Sequence, residues 1–284
     1  MKVFYRPEQV GPVQHSSPSA HKPRVVVEDW RGVFGPKIEI CDFDRVTEKQ
    51  IARAHHPDFV KGVLTGTLPN GFGNRDRKVA ESLPFTSGSM LAAAKYAVQH
   101  RAVVCSPTSG FHHAEYRKAG GFCTFNGLMV TALAMKDAGL VNRMAILDCD
   151  AHYGNGTDSI MQVLGIDWIE HHTQGREFGI AYNAAGGAYE RWLDAAIEQC
   201  RTCDLVLYQA GADPHIDDPL GGILSTEQLA ARDRAVFERL GHLPMVWNLA
   251  GGYQVVSGDT EAEQLEPVLA LHRTTARLHC EIFG

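Results

Sequence analysis

The 284-residue sequence lacks several features that would assign it to a class at once. It has no apolar run close to the roughly 20 residues of a membrane span, and its first residues lack the apolar stretch of a signal peptide. Its net charge of −6 has the wrong sign for a protein that grips nucleic-acid backbones. It also lacks internal repeats, low-complexity tracts and a recognisable linker. These absences predict a cytoplasmic protein of one domain, residues 1–284, that binds neither membranes nor nucleic acid.

The cysteines do not form a framework either. There are seven, an odd number, and they are scattered without a paired spacing, which indicates reduced thiols. Cys200 and Cys203 have the CxxC spacing, but a second such pair or a thioredoxin-like context is missing. We therefore interpret this spacing as incidental.

What the sequence does contain is an alternation of strand-sized apolar runs with helical patterns. Apolar runs of four to six residues suit strands buried on both faces of a parallel sheet. Each of four runs leads into a loop of small and polar residues, and helix-length segments lie between them, one of them with Ser225 as N-cap and Gly241 at its end. We predict one α/β domain with a mostly parallel central sheet and helices on both faces, in which ligands bind beyond the carboxyl ends of the strands. The predicted strands are 101–105, 144–147, 205–210 and 245–249, and the predicted helices are 90–98, 127–135, 187–200 and 226–240.

One strand end carries metal-ligand chemistry. Asp148, Asp150 and His152 follow the run 144–147 at two-residue spacing, and in an extended chain their side chains would point the same way. Asp213 follows its own predicted strand and could supply another ligand. Two carboxylates and one neutral histidine fit zinc in a three-ligand site that leaves positions for water and substrate.

Two further groups follow predicted strands. His112 and His113 stand in tandem, and histidine can serve as base and acid near neutral pH. Tyr253 follows Gly251 and Gly252, whose backbone freedom would let the phenol reach toward the metal. Alone, each group is as typical of an exposed loop or a turn as of a catalytic site.

In this order, and each at a strand end, these pieces resemble the histone deacetylase family, which has the arginase/deacetylase fold. The resemblance covers roughly residues 50–256 and is closest to the class IV branch and to small bacterial deacetylase-like proteins. Its motifs are 110–114 (Gly-Phe-His-His-Ala), 120–126 (Gly-Gly-Phe-Cys-Thr-Phe-Asn), 147–156 (Leu-Asp-Cys-Asp-Ala-His-Tyr-Gly-Asn-Gly), 210–213 (Ala-Gly-Ala-Asp) with 218–222 (Asp-Pro-Leu-Gly-Gly), and 251–253 (Gly-Gly-Tyr).

The resemblance implies a role for each matching residue. Asp150, His152 and Asp213 would hold zinc. His113 would be the general base and then the acid, and His112, paired with Asp148, would orient and support the reaction electrostatically. The resemblance further implies that Tyr253 donates to the oxyanion and that the acyl tunnel is lined by Gly121, Phe122 and Leu220.

Two positions depart from the commonest family pattern. Tyr153 stands where many members repeat a second histidine. Asn155 replaces an aspartate that class I enzymes place behind the second tandem histidine, as class II and IV members also do, and this implies that His113 is held less strongly as imidazolium. The resemblance also implies potassium near Asp148, Asp150 and His152, bound largely through carbonyl oxygens.

Other activities are compatible with parts of the pattern. Arginase relatives hydrolyse guanidines at two manganese ions, but the extra carboxylates that a second metal needs are replaced here by Tyr153 and Gly154, and by Pro214 and His215. A non-catalytic acyl-lysine-binding module usually loses a metal ligand or the tyrosine, and this sequence keeps them.

We therefore expect a zinc-dependent amidohydrolase that removes an acetyl or longer acyl group from an amine such as acyl-lysine, or from an acetylpolyamine or another small molecule. The negative net charge favours a cationic substrate. Candidate rim segments are the loop-like stretches 11–17 and 70–76.

Overall fold

The computed structural model describes residues 1–12, 17–179 and 187–284, and one seven-stranded sheet organises them. All strand pairings in this sheet are parallel, and the strand order is β2-β1-β3-β7-β6-β4-β5. The strands are β1 (Lys2–Phe4), β2 (Glu39–Cys41), β3 (Val103–Cys105), β4 (Met144–Asp148), β5 (Ile169–Thr173), β6 (Leu205–Gln209) and β7 (Met245–Asn248).

Helices connect the strands and cover the sheet. They are α1 (Lys22–Phe34), α2 (Glu48–Ala54), α3 (Pro57–Leu64), α4 (Arg77–His100), α5 (Gly127–Asp137), α6 (Asn155–Leu164), α7 (Gln174–Glu177), α8 (Ala188–Cys200), α9 (Thr226–Leu240), α10 (Glu261–Gln264) and α11 (Glu266–Phe283). None of those in the described residues is both long and apolar enough to cross a bilayer.

The central strands are apolar on both faces because each face has its own core. In β4, Ala145 and Leu147 pack into the cluster that contains residues of α1, α8, α9 and α11. Met144 and Ile146 point the other way, into the cluster built with α2 to α6. The alternation of side chains along a strand thus divides one apolar run between two cores. The prediction of an α/β domain with helices on both faces of a parallel sheet is confirmed.

The four predicted strands correspond to β3, β4, β6 and β7. The sequence patterns missed β1 and β2, which have only three residues each, and β5, in which half-buried Glu170 and His172 interrupt the apolar run at the sheet edge. Helix α9 begins at the predicted N-cap, because Ser225 and Gln228 form a reciprocal capping box.

The order of the strands explains why distant motifs meet. Strands β3, β7, β6 and β4 are consecutive neighbours in the sheet, and all are parallel. Their carboxyl ends therefore lie side by side, and the loops that follow them form one surface.

Candidate active site

The three predicted zinc ligands come together at the carboxyl ends of the central strands. One ligand atom from each of Asp150, His152 and Asp213 lies within 4.8 Å of the others. His152 Nδ1 is 2.9 Å from Asp213 Oδ2 and 3.1 Å from Asp150 Oδ1. Both aspartates are buried, and His152 is half-buried. This is the only such group of potential metal ligands within the ranges that the structure describes.

Residues 148–152 are not the extended segment on which the two-residue spacing argument relied, because the chain bends after β4. The Asp150 N–H donates to Asp148 Oδ1 at 3.2 Å, and the His152 N–H donates to Asp150 Oδ1 at 2.9 Å. Each aspartate thus caps the amide two residues later, as in an Asx-turn, and ends the extended alternation. The Asp148 carboxylate contacts the His112 ring, as Asp150 also does, but it is not part of the cluster of potential metal ligands.

The donor set fits a zinc ion. Asp213 Oδ1 is buried and has no hydrogen-bond partner, so a carboxylate oxygen remains available inside the cluster. Two carboxylates and one imidazole are ligands that zinc accepts in three-ligand catalytic sites. Whether potassium binds near Asp148 stays a prediction.

Without a metal ion, the surroundings raise the pKa values of both Asp213 and His152. Burial and the charge of Asp150 raise the pKa of Asp213 to about 8. Burial lowers the pKa of His152, but its hydrogen bonds to Asp150 and Asp213 outweigh this and raise the value to about 11. A metal ion must therefore displace protons when it enters.

Glycines allow the loops to approach this closely. The Gly251 N–H donates to Asp150 Oδ2 at 2.7 Å. A Cβ atom at Gly251 would lie 2.4 Å from Asp213 Cγ, which a side chain cannot occupy. The loop after β7 thus packs its backbone directly on the two carboxylates.

His112 is held as a cation. Its Nδ1 lies 2.8 Å from Asp148 Oδ2, and its Nε2 lies 3.6 Å from Asp150 Oδ1. Burial lowers the pKa of His112, but the charges of Asp148 and Asp150 more than compensate and raise it to about 9. Gln209 donates to the other oxygen of Asp148 at 3.0 Å and completes this arrangement.

His113 has the opposite preference. Its ring lies 4.1 Å from that of His112 and 5.9 Å from that of His152, measured between centroids. Burial and the charge of His112 lower the pKa of His113 to about 4. Its Nδ1 lies 2.7 Å from the amide oxygen of Asn155, so Nδ1 carries the proton and Nε2 keeps a free lone pair. Adjacent histidines with divergent pKa values suit separate electrostatic and base roles.

Tyr253 approaches the cluster from the β7 side, with its ring centroid 6.1 Å from that of His152. Gly252 has a φ of 134°, a conformation that favours glycine. The backbone freedom predicted for this turn is therefore used at Gly252. The Tyr253 N–H donates to Asp218 Oδ2 at 2.7 Å. Fully buried Lys22 donates to the carbonyls of Ala250 and Gly251 at 2.7 and 2.9 Å.

The sequence patterns assigned no role to Lys22, Asp218 or Gln209. Asp218 stands inside a quoted motif, which was the available signal. Lys22 is 228 residues from Ala250, and only the fold brings them together.

The predicted tunnel residues lie at different depths. A Cβ at Gly121 would be 2.3 Å from His113 Cδ2, so the backbone here packs against the histidine ring. The Phe122 ring lies between those of Phe72 and Tyr253, 6.0 Å from each. Leu220 and Gly121 are both exposed, whereas Phe122 is half-buried.

Of the predicted rim segments, 70–76 contacts the segment that contains Phe122, because the Gly71 N–H donates to Thr124 Oγ1 at 2.9 Å and the rings of Phe72 and Phe122 are 6.0 Å apart. In the segment 11–17, residues 13–16 lie outside the described ranges. The Tyr153 hydroxyl donates to Asp158 Oδ2 at 2.5 Å. Cys200 and Cys203 are buried in the core as free thiols.

The sequence is similar to proteins named as deacetylases and amidohydrolases. Histone deacetylase 2 of Arabidopsis thaliana is 29% identical over 63% of this chain and 51% of its own length. Acetylpolyamine amidohydrolase 2 of Pseudomonas aeruginosa is 30% identical over 54% of this chain and 51% of its own length. Each match thus spans about half of the relative.

Among solved structures, the acetylpolyamine aminohydrolase of Burkholderia pseudomallei superposes with a TM-score of 0.75 at 18% identity, covering 100% of both chains, and so shares the fold. A family model described as the histone deacetylase domain matches residues 20–178, more than half of the sequence. The chain belongs to the histone deacetylase family.

Proposed function

We propose that this protein is a zinc-dependent deacylase that hydrolyses the amide between an acyl group and an amine, such as acyl-lysine. The observation that carries the proposal is the convergence of Asp150, His152 and Asp213 at one sheet edge, with an unpartnered buried oxygen among them. Zinc in a site of this kind supplies Lewis-acid chemistry, by polarising a carbonyl and acidifying water.

In this proposal His113 moves the protons. Its Nδ1–H is held by Asn155, so Nε2 is the atom that accepts a proton from water and returns one to the leaving amine. The neutral state favoured by burial is the state that a base needs.

His112 acts through its charge. The buried Asp148 carboxylate keeps it as imidazolium, and it contacts His113 through the adjacent ring. A fixed positive charge in a buried site stabilises negative charge that develops nearby during the reaction.

Tyr253 donates a hydrogen bond to the oxygen on which charge develops. Burial raises the pKa of its phenol well above the usual range, which keeps the O–H proton in place for donation. Lys22 and Asp218 fix the backbone that leads into this residue, through the carbonyls of Ala250 and Gly251 and the Tyr253 N–H.

The amine in the substrate can be identified by comparing two substrate classes, acyl-lysine peptides and acetylpolyamines, in one assay. The net charge of −6 favours cationic substrates, and one matched relative is named an acetylpolyamine amidohydrolase while another is named a histone deacetylase. Acyl-lysine peptides of several chain lengths and acetylpolyamines should be compared at equal concentration.

Metal analysis together with hydrolysis tests the proposal. We expect one zinc per chain and loss of both zinc and hydrolysis in Asp150→Ala, His152→Ala and Asp213→Ala, because a three-ligand site has no spare ligand. Asp217→Ala removes an exposed carboxylate from the Asp213 loop and should leave both unchanged.

Three results would contradict the proposal. Two manganese ions per chain with guanidine hydrolysis would favour the arginase-type activity. Acyl-lysine binding without hydrolysis would indicate a non-catalytic module. Full activity after loss of an assigned ligand would remove that residue from the site.

A further inference from the structure

Helix α9 buries a charged pair inside its apolar face. Leu229, Val236 and Phe237 are buried on this face, and Arg232 and Asp233 lie between them with side chains only 2% and 3% exposed. Removing two charges from water costs several kcal/mol per ion unless further hydrogen bonds satisfy them. The pair therefore requires partners beyond itself.

Arg232 finds those partners on the two loops that carry the metal ligands. Its Nη1 donates to the carbonyl of Cys149 at 3.1 Å and to the carbonyl of Gly211 at 2.8 Å. Cys149 directly precedes Asp150, and Gly211 stands two residues before Asp213. One nitrogen atom thus joins the loop after β4 to the loop after β6.

Asp233 anchors this nitrogen to the rest of the fold. Its Oδ1 accepts from Arg232 Nε at 2.9 Å and from the Tyr208 hydroxyl, and its Oδ2 accepts from Thr275 Oγ1 at 2.6 Å. The guanidinium is therefore fixed relative to β6 and α11. The planar guanidinium is suited to hold Asp233 and the two carbonyls at once, whereas a lysine ammonium is a single point charge.

The two loops are in direct contact where Arg232 joins them. A Cβ at Gly211 would lie 2.9 Å from Asp150 Cα and 2.6 Å from Asp213 Oδ1. A small change in the separation of the carbonyls of Cys149 and Gly211 would therefore move the two aspartates relative to each other.

We infer that Arg232 is a positioning residue that sets the spacing of Asp150 and Asp213 and thereby the affinity for the metal ion. The inference rests on the proposed function, because it takes these aspartates as ligands. Loss of a residue that orients metal ligands typically lowers metal affinity about 10- to 100-fold.

The test is a zinc dissociation constant, measured by competition with a chromophoric chelator on the full chain. Arg232→Lys keeps the charge but loses the fork, and we expect zinc affinity to fall about 10- to 100-fold. The double variant Arg232→Met with Asp233→Leu removes both charges, and such replacements of a buried pair are often tolerated by the fold. It should show the same loss.

Arg273→Met is the matched control. Arg273 pairs with Asp29 of α1 and Glu266 of α11 at 2.7 and 2.6 Å, so its ion pairs join two helices and not the ligand loops. Thermal unfolding in excess chelator reports the stability of every variant without metal. The control should lower the melting temperature and leave zinc affinity unchanged.

If either folded Arg232 variant bound zinc as tightly as the wild type, the inference would be overturned. The proposed function would not be affected, since zinc binding by the wild type would still support the proposed site. An equal loss of affinity in Arg273→Met would also overturn the inference, because general destabilisation would then suffice. Loss of the fold in both Arg232 variants would assign the pair to stability and would overturn it too. Absence of zinc binding in the wild type would refute the proposed function itself.

Discussion

Acid should destabilise this protein through His55, whose two ring nitrogens are both occupied by backbone groups. Nδ1 lies 2.9 Å from the Glu115 carbonyl and so carries the proton, and Nε2 accepts from the Asn126 N–H at 2.8 Å. A proton on Nε2 would face another N–H. The ring is fully buried, and burial lowers its pKa to about 4.

The magnitude follows from this value. The unfolded chain binds a proton at His55 below about pH 6.5, while the folded chain binds it only near pH 4. Because the unfolded state takes up the proton first, stability falls as the pH decreases through this window. At pH 5 the loss relative to pH 7.5 is about 2 kcal/mol from this residue.

Urea unfolding at pH 7.5 and pH 5.0 measures the effect, with chelator present so that metal binding does not contribute. His55→Gln should be less stable than wild type at pH 7.5, by about 1–3 kcal/mol for the unsatisfied buried partner, but should lose about 2 kcal/mol less on acidification. His242→Gln removes an exposed histidine and serves as the control. An equal acid loss in wild type and His55→Gln would refute the reasoning.

Three further substitutions test the proposed chemistry. His113→Ala should retain zinc and lose about 10²- to 10⁴-fold in hydrolysis rate, and near wild-type turnover would exclude proton transfer by this residue. Tyr253→Phe should lower kcat by about 10²- to 10³-fold with little change in KM, whereas a loss confined to KM would indicate a lining role. Gly251→Ala would place Cβ 2.4 Å from Asp213 Cγ and should abolish zinc binding, and tight zinc binding by this variant would contradict the packing. Gly32→Ala is the control, because the space around its Cβ is open and zinc binding should be unchanged.

The fold was predictable because its central strands are short apolar runs that end in polar loops. Such runs can be recognised locally, since both faces of the strand are buried and no polar position interrupts them. Strand β5 escaped because it lies at the edge of the sheet, where Glu170 and His172 are half-buried. A local pattern cannot separate such a strand from a polar loop.

The candidate ligands were predictable by type and place, because parallel strands bring their following loops to one edge. The path of the backbone through residues 148–152 was not, since it depends on the turns that the aspartates themselves create. The pairing of Asp148 with His112 was expected nevertheless, but this expectation came from the family resemblance and not from the spacing.

Supporting residues were the least visible. Lys22 and Arg232 are charged residues in helices, and by local pattern they belong on a solvated face. Carbonyl groups from distant segments accept hydrogen bonds from both, and Asp233 pairs with Arg232 in addition. Only the assembled fold supplies those partners, and this is why the sequence patterns gave no sign of them.

The position of β7 has a consequence for how the chain matures during synthesis. This strand is the last to be made, yet it lies between β3 and β6, and its first pairs join Val103 and Val206 to Met245. Before it is made, the other six strands can pair only as two half-sheets, β2-β1-β3 and β6-β4-β5, and each would have an unpaired edge of the kind that favours aggregation. The same insertion brings the Gly251 N–H to Asp150, so the two half-sheets are joined and the proposed metal site is completed in one late step.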